Sequence, residues 1–212
     1  MQHNKPIHVI YVNGPSSVGK TTMIRILQNL LLPVPYLRIG VDQIIDDMMP
    51  SAMNDWRVNM VHKEPNNIQG FYCNVMHDTD GATMHIVRAG PFARKMLGLF
   101  RDLVLKTLQD GYHVVVDDVA EHGAVDVNLW REALKDYNVL WIGLTAALEV
   151  LEERERTRNN RAPGTSRAQL KTVHQDVDYD LFFDTSKEDS NDIARAIRAV
   201  ILQTDGQHHT ES

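Results

Sequence analysis

Residues Gly14-Pro15-Ser16-Ser17-Val18-Gly19-Lys20-Thr21 fit the pattern G-x-x-x-x-G-K-[ST]. The chemistry of that pattern is phosphate binding. Successive backbone N–H groups of such a loop form a nest that points at phosphate oxygens. A helix opening near Lys20 adds the positive end of its dipole. Gly14 and Gly19 supply backbone freedom where a side chain would clash. Pro15 lacks an N–H, so the nest must be built from Ser16, Ser17, Val18 and the residues after them, Thr22 included. Lys20 is expected to reach the β- and γ-phosphates, and the Thr21 hydroxyl to ligate Mg²⁺. The context supports the motif. A strand pattern, Ile7 to Val12, precedes it, and apolar residues at Ile24, Leu27, Leu30 and Leu31 give the following segment a helical period.

Further chemistry belongs to residues at the ends of other apolar runs. Asp42 follows Tyr36-Leu37-Arg38-Ile39-Gly40-Val41. A carboxylate there can take a proton from an attacking hydroxyl, although it also suits a helix N-cap. Val114-Val115-Val116-Asp117 ends an apolar run in a carboxylate, the form that orients Mg²⁺. Asp117 is therefore assigned to the metal. Asp118, which the strand pleat turns the other way, is left as a possible substrate or water contact. Arg154, Arg158 and Arg161 share a helical face. They lead into Asn159 to Gly164, where kinases of the nucleoside-monophosphate type carry a lid. Permanently charged, planar guanidinium groups there can neutralise a transferring phosphoryl group. A solvated, salt-bridged surface is the competing reading of that helix. Arg154 is placed with the nucleotide, and Asp184-Thr185-Ser186 reads as a turn that commonly lies beside the base.

These residues need a scaffold that gathers strand ends. Strand patterns over Ile7–Val12, Tyr36–Val41, His113–Val116, Val139–Leu144 and Leu181–Phe183 alternate with helical ones. The helices are predicted after the first loop, over Gln43–Met49, Pro91–Gln109, Asn128–Tyr137, Ala146 to about Arg158, Arg167–His174, and from a Ser190 cap to about Leu202. Alternation of this kind implies an α/β fold with a mostly parallel five-stranded sheet, helices on both faces and a small helical lid over 146–175. Ligands of such sheets bind at the carboxyl ends of the strands. Residues 51–89, with Trp56, Phe71 and Tyr72, show no clear period and read as an irregular insert. No repeat or linker divides the chain, so 1–212 is expected to be one domain with a tail over 203–212.

Bulk properties narrow the function. A net charge of −6 over 212 residues argues against a protein held to nucleic acid by phosphate contacts. The single cysteine, Cys73, allows no internal disulfide, and nothing near it suggests an activated thiol. The ten histidines show no zinc-ligand spacing, and His208-His209 falls in the polar tail. The first residues are too polar for a signal peptide, and no apolar run reaches membrane-spanning length. A cytoplasmic location is expected, with no membrane or nucleic-acid partner. The oligomeric state is left open.

Taken in order, the motifs resemble the chloramphenicol phosphotransferase family. The resemblance rests on the loop from Asn13 to Lys20, Gly40-Val41-Asp42, Gly90-Pro91 with Arg94, and Val116-Asp117-Asp118-Val119. It continues through Leu140-Trp141-Ile142-Gly143, Arg158 and Arg161 before Gly164, Val173-His174, Tyr179-Asp180 and Asp184-Thr185. It implies a P-loop kinase fold and Mg²⁺-dependent transfer of the γ-phosphoryl group of ATP to a primary hydroxyl of a small molecule. It also implies that Asp42 is the general base and that Arg158 and Arg161 are the lid arginines. The stretch between Asp42 and Gly90 is longer than in the family and matches poorly. The machinery therefore carries over, and chloramphenicol as acceptor does not. A nucleotide or nucleoside kinase, a nucleotide-dependent switch acting on a protein partner, and a kinase of a protein hydroxyl remain as competing readings.

Overall fold

The computed structural model describes residues 6–50, 69–158 and 162–206. Five strands form its main sheet: β1 (Val9–Asn13), β2 (Tyr36–Gly40), β5 (His113–Asp118), β6 (Val139–Thr145) and β7 (Leu181–Asp184), in the order β2-β5-β1-β6-β7. All four pairings are parallel. β1 lies at the centre and is buried throughout, as a parallel strand covered on both faces must be. Its register sets Asn13 beside Asp118 on one side and Gly143 on the other. Gly40 pairs with Asp117, so the carboxyl ends of β1, β2 and β5 finish level.

The two faces follow strand alternation. Ile10, Val12, Val115, Ile142 and Leu144 pack against α1 (Lys20–Leu30) and α7 (Ser190–Gly206), through Met23, Ile24, Leu27, Ile193 and Ile197. Val9, Tyr11, Val114 and Val116 pack against α3 (Pro91–Gln109) and α4 (Ala124–Ala133), through Phe100, Val104 and Trp130. Pro91 begins α3 in the first turn, where an N–H would have no intrahelical partner.

Several boundaries differ from the sequence expectation. β2 ends at Gly40 rather than running to Val41, and Val41–Gln43 forms a helical turn, α2, continued by a π-helical turn over Ile44–Met48. The Gln43 side chain accepts from the Gly40 N–H at 2.8 Å, so the backbone turns one residue early. α4 lies four residues upstream of the predicted start at Asn128, because Gly123 turns the chain at φ 53°. Thr145 ends β6 instead of capping the next helix, and α5 (Leu148–Arg158) starts later. α6 is short (Thr165–Leu170), and α7 runs past Leu202 to Gly206. Part of the supposedly irregular insert is an antiparallel hairpin, β3 (Phe71–His77) with β4 (Thr83–Ala89). Its turn closes through the Asp78 N–H to the Ala82 carbonyl, 2.8 Å. Trp56 and the rest of 51–68 lie outside the described residues, as do His208-His209. Among the described residues, no helix is long and apolar enough to cross a membrane.

Candidate active site

The loop between β1 and α1 carries the clearest built-in demand for a ligand. Ser17 holds a left-handed conformation at φ 65°, which a serine adopts only when its surroundings impose it. The Ser16 and Ser17 hydroxyl oxygens are buried and have no hydrogen-bond partner among the described residues. Any side chain at Gly14 would place a Cβ 2.4 Å from the Leu144 carbonyl oxygen, so only glycine lets the loop pass over the end of β6. Lys20 is buried and donates to the Gly14 and Pro15 carbonyls at 2.7 and 3.0 Å. Orphaned hydroxyls, a buried ammonium and a helix N-terminus in one concavity fit a chain of phosphates.

At the level strand ends, Thr21 Oγ1 donates to Asp117 Oδ2 at 3.0 Å. The two residues assigned to the metal from sequence are thus neighbours. They form a small set of hard oxygen donors, the kind that suits Mg²⁺. Sequence reading missed the cation that holds Asp117 in place. Arg38, on β2, donates to the same Asp117 oxygen through Nε at 2.9 Å, and its Nη2 lies 2.8 Å from that oxygen in an ion pair. Its Nη2 also lies 3.4 Å from Thr21 Oγ1.

Asp118 takes a different part. Its Oδ2 accepts from the Tyr11 hydroxyl at 2.9 Å and the Trp130 indole at 2.7 Å, and its Oδ1 from the Val119 N–H at 2.8 Å. These bonds tie β5 to β1 and α4 through Asp118, which also lines the cavity. Burial raises its carboxyl above the ordinary value and outweighs the three donors.

Asp42 stands in the first turn of α2, half-buried. One cavity of about 580 Å³ joins it to the phosphate loop, to Asp117, and to the hairpin and α3. The lid side is braced rather than loose. Arg154 donates to Thr185 Oγ1 and O, both at 2.9 Å, and to the Val18 carbonyl at 3.3 Å. It thus ties α5 to the phosphate loop and to the turn after β7. Arg158 lines the cavity, and Arg161 lies outside the described residues. Glu155 caps the start of α6 by accepting from the Gly164 and Ser166 N–H groups at 2.6 and 2.8 Å.

The match to chloramphenicol phosphotransferase-like proteins spans residues 7–202. The chain belongs to that family. Membership makes it a small-molecule kinase, a transferase that uses a nucleotide. A search of curated proteins finds no match. Solved structures share the fold. A sugar kinase from Janibacter sp. superposes with a TM-score of 0.60 at 13% identity, covering 92% of this chain and 94% of its own. A gluconokinase from Sinorhizobium meliloti gives 0.58 at 14%, covering 98% of each chain. The APS kinase of Mycobacterium tuberculosis, solved with AMPPNP and APS, gives 0.59 at 12%, covering 93% and 98%.

Two further residues of this kinase were not legible in its sequence. The Gln169 side chain accepts from the Ser16 N–H of the loop at 2.7 Å and donates to Glu121 at 2.6 Å. Glu121, in the cavity wall, is pushed up to about 7, mainly by burial, against the opposing pull of Gln169, His122 and Arg88. Neither residue belongs to a motif; the chain brings them together from 48 positions apart. The hairpin, by contrast, had a signal. Asp80-Gly81 stands between two runs rich in β-branched and aromatic residues.

Proposed function

We propose that the protein transfers the γ-phosphoryl group of ATP to a hydroxyl of a small organic acceptor. The observation that carries this reading is the single cavity that runs from the phosphate loop past Thr21 and Asp117 to Asp42 and on to the hairpin. It has room for a donor and an acceptor side by side. Gly14, Pro15, Ser16, Ser17, Val18, Gly19, Thr21 and Thr22 would line the triphosphate. Lys20, already buried in the loop, would exchange its carbonyl partners for phosphate oxygens. Thr21 and Asp117 would hold Mg²⁺, which when bound supplies positive charge to the phosphates. Arg38 would then keep one carboxylate oxygen of Asp117 oriented.

Asp42, which lines the same cavity, would take the proton. As its carboxylate accepts the hydroxyl proton, the acceptor oxygen forms its bond to the γ-phosphorus. The bond from that phosphorus to the β–γ bridging oxygen breaks, and ADP leaves. Arg158, with Arg161, is assigned to the charge on the transferring group, and Arg154 to holding the nucleotide side of the loop through Val18 and Thr185. A cytoplasmic setting goes with this reading, supported by the lone Cys73, which allows no internal disulfide.

The test is to incubate the protein with ATP and Mg²⁺, alone and with a panel of hydroxyl compounds that includes chloramphenicol. ADP would be measured, and phosphorylated product sought by mass spectrometry. Acceptor-dependent product is expected, with kcat reduced roughly 10²- to 10⁴-fold in Asp42→Asn. Slow hydrolysis, indifferent to acceptors and to Asp42→Asn, would instead favour a nucleotide-dependent switch.

A further inference from the structure

The acceptor side of the cavity carries unspent positive charge. Arg88, on β4, and Arg101, on α3, both line it and are both half-buried. Among the described residues, neither guanidinium has a hydrogen bond or ion pair. The carboxylates that share the wall are differently placed. Asp117 is held by Thr21 and Arg38, and Asp118 by Tyr11 and Trp130. Asp126 accepts from the His122 N–H at 2.9 Å, and Glu121 from Gln169. Asp42 has an interaction of its own. Glu121 is near enough to feel Arg88, yet it is bonded elsewhere and rises toward neutrality.

The rest of that wall is apolar, with Phe71, Leu97, Phe100 and Leu129. A guanidinium partly withdrawn from water in such a place is costly unless something of opposite charge meets it. Its planar fork of donors matches a carboxylate or phosphate in two-pronged fashion. Arg94 and Arg101 stand seven residues apart on α3, two helical turns, and so project from the same side as Leu97. Arg94 is already engaged with the Ala89 carbonyl, which leaves Arg101 and Arg88 for a ligand.

We propose that the phosphoryl acceptor is an anionic alcohol, and that Arg88 and Arg101 hold its carboxylate or phosphate group while its hydroxyl faces Asp42. The proposal rests on the phosphotransfer reading above and names the substrate class for the same site. A neutral alcohol would leave both guanidinium groups unmatched. An oxyanion would meet them, and the apolar wall would take the carbon skeleton.

Matched series decide it. Hydroxymethylbenzoate is compared with hydroxymethylbenzamide, gluconate with gluconamide, and glycerol phosphate with glycerol, with chloramphenicol as a further neutral alcohol. Product is read by mass spectrometry, and kcat and KM are determined separately for wild type, Arg88→Gln, Arg101→Gln and Arg101→Lys. Unfolding midpoints confirm that each variant folds. The charged member of a pair should be preferred about tenfold or more, since hydrogen bonds to charged groups are the stronger kind. The glutamine variants should raise KM for the charged member by a similar factor while kcat falls less, and Arg101→Lys should recover part of the loss. Preference for carboxylates over glycerol phosphate, or the reverse, identifies the oxyanion. Transfer to neutral members alone, or KM values that ignore both glutamine substitutions, would overturn the anionic acceptor and leave the phosphotransfer reading standing. Hydrolysis with no product from any compound would overturn both.

Discussion

Glu121 shows how a residue outside every motif acquires a titration that can be measured. Its ordinary value is 4.5, and burial raises it to about 7. Between those two values the folded protein binds a proton that the unfolded chain has released. Stability attributable to this group is therefore greatest below pH 4.5, declines as pH rises, and levels off above about 7. Glu121→Gln keeps an acceptor for the Gln169 amide and removes the charge. In urea unfolding across this range, the variant should match wild type at the acid end. It should gain about 2 kcal/mol on the alkaline side, the full shift being discounted because water reaches part of the side chain. A difference that does not change with pH would refute the raised value. At the same scale Cys73 offers a simple check. With its thiol pushed up to about 12, it should react with maleimide far more slowly than free cysteine at neutral pH, and a fast reaction would contradict its burial.

At the scale of elements, the hairpin and the lid base behave as one body. Arg167 on α6 meets Asp78 at 3.0 Å and Asp80 at 2.7 Å in the hairpin turn, and Glu152 on α5 at 2.7 Å. Lys171 pairs with Asp78 as well, and these cations hold the Asp78 carboxyl well below the usual range. Gly164 brings the backbones together. It sits at φ +81°, and an added Cβ would fall 2.1 Å from the Thr83 carbonyl oxygen. Gly164→Ala should therefore cost about 2 kcal/mol or more in thermal or urea unfolding, from left-handed strain plus the clash. It should also speed hydrogen exchange in β4 near Thr83 and Met84. An unchanged exchange pattern would mean that the hairpin does not depend on this contact. Arg167 and Gly164 explain why the acceptor wall was hard to read. Arg167 resembles any surface arginine of a charged helix until the turn 78–82 is folded against it.

At the scale of the whole molecule, nucleotide binding is linked to folding. A ligand that binds only the folded state at about 100 times its Kd adds about 2.7 kcal/mol, which for a chain of this size raises Tm by roughly 5–10 °C. ATP with Mg²⁺ should produce such a shift, and Lys20→Ala should abolish most of it whatever its effect on the unliganded Tm. A full shift in Lys20→Ala would remove Lys20 from the phosphate site. The parts whose physics is local can be read along the chain. The loop from Gly14 to Thr21 works through consecutive backbone groups, and the five strands announce themselves through short apolar runs that alternate with helical periods. The order of motifs along the chain was enough to place it in its family. Boundaries failed where a side chain captured the backbone, as Gln43 does at Gly40. Folding alone settled which of two adjacent aspartates accepts from Tyr11 and Trp130, since those partners lie 107 and 12 positions from Asp118. It also decided that Arg38 stands on Asp117, that Gln169 joins the loop to Glu121, and that Arg88 and Arg101 face one cavity. Those relations depend on which distant side chains share a desolvated space, and local spacing in a chain does not encode that.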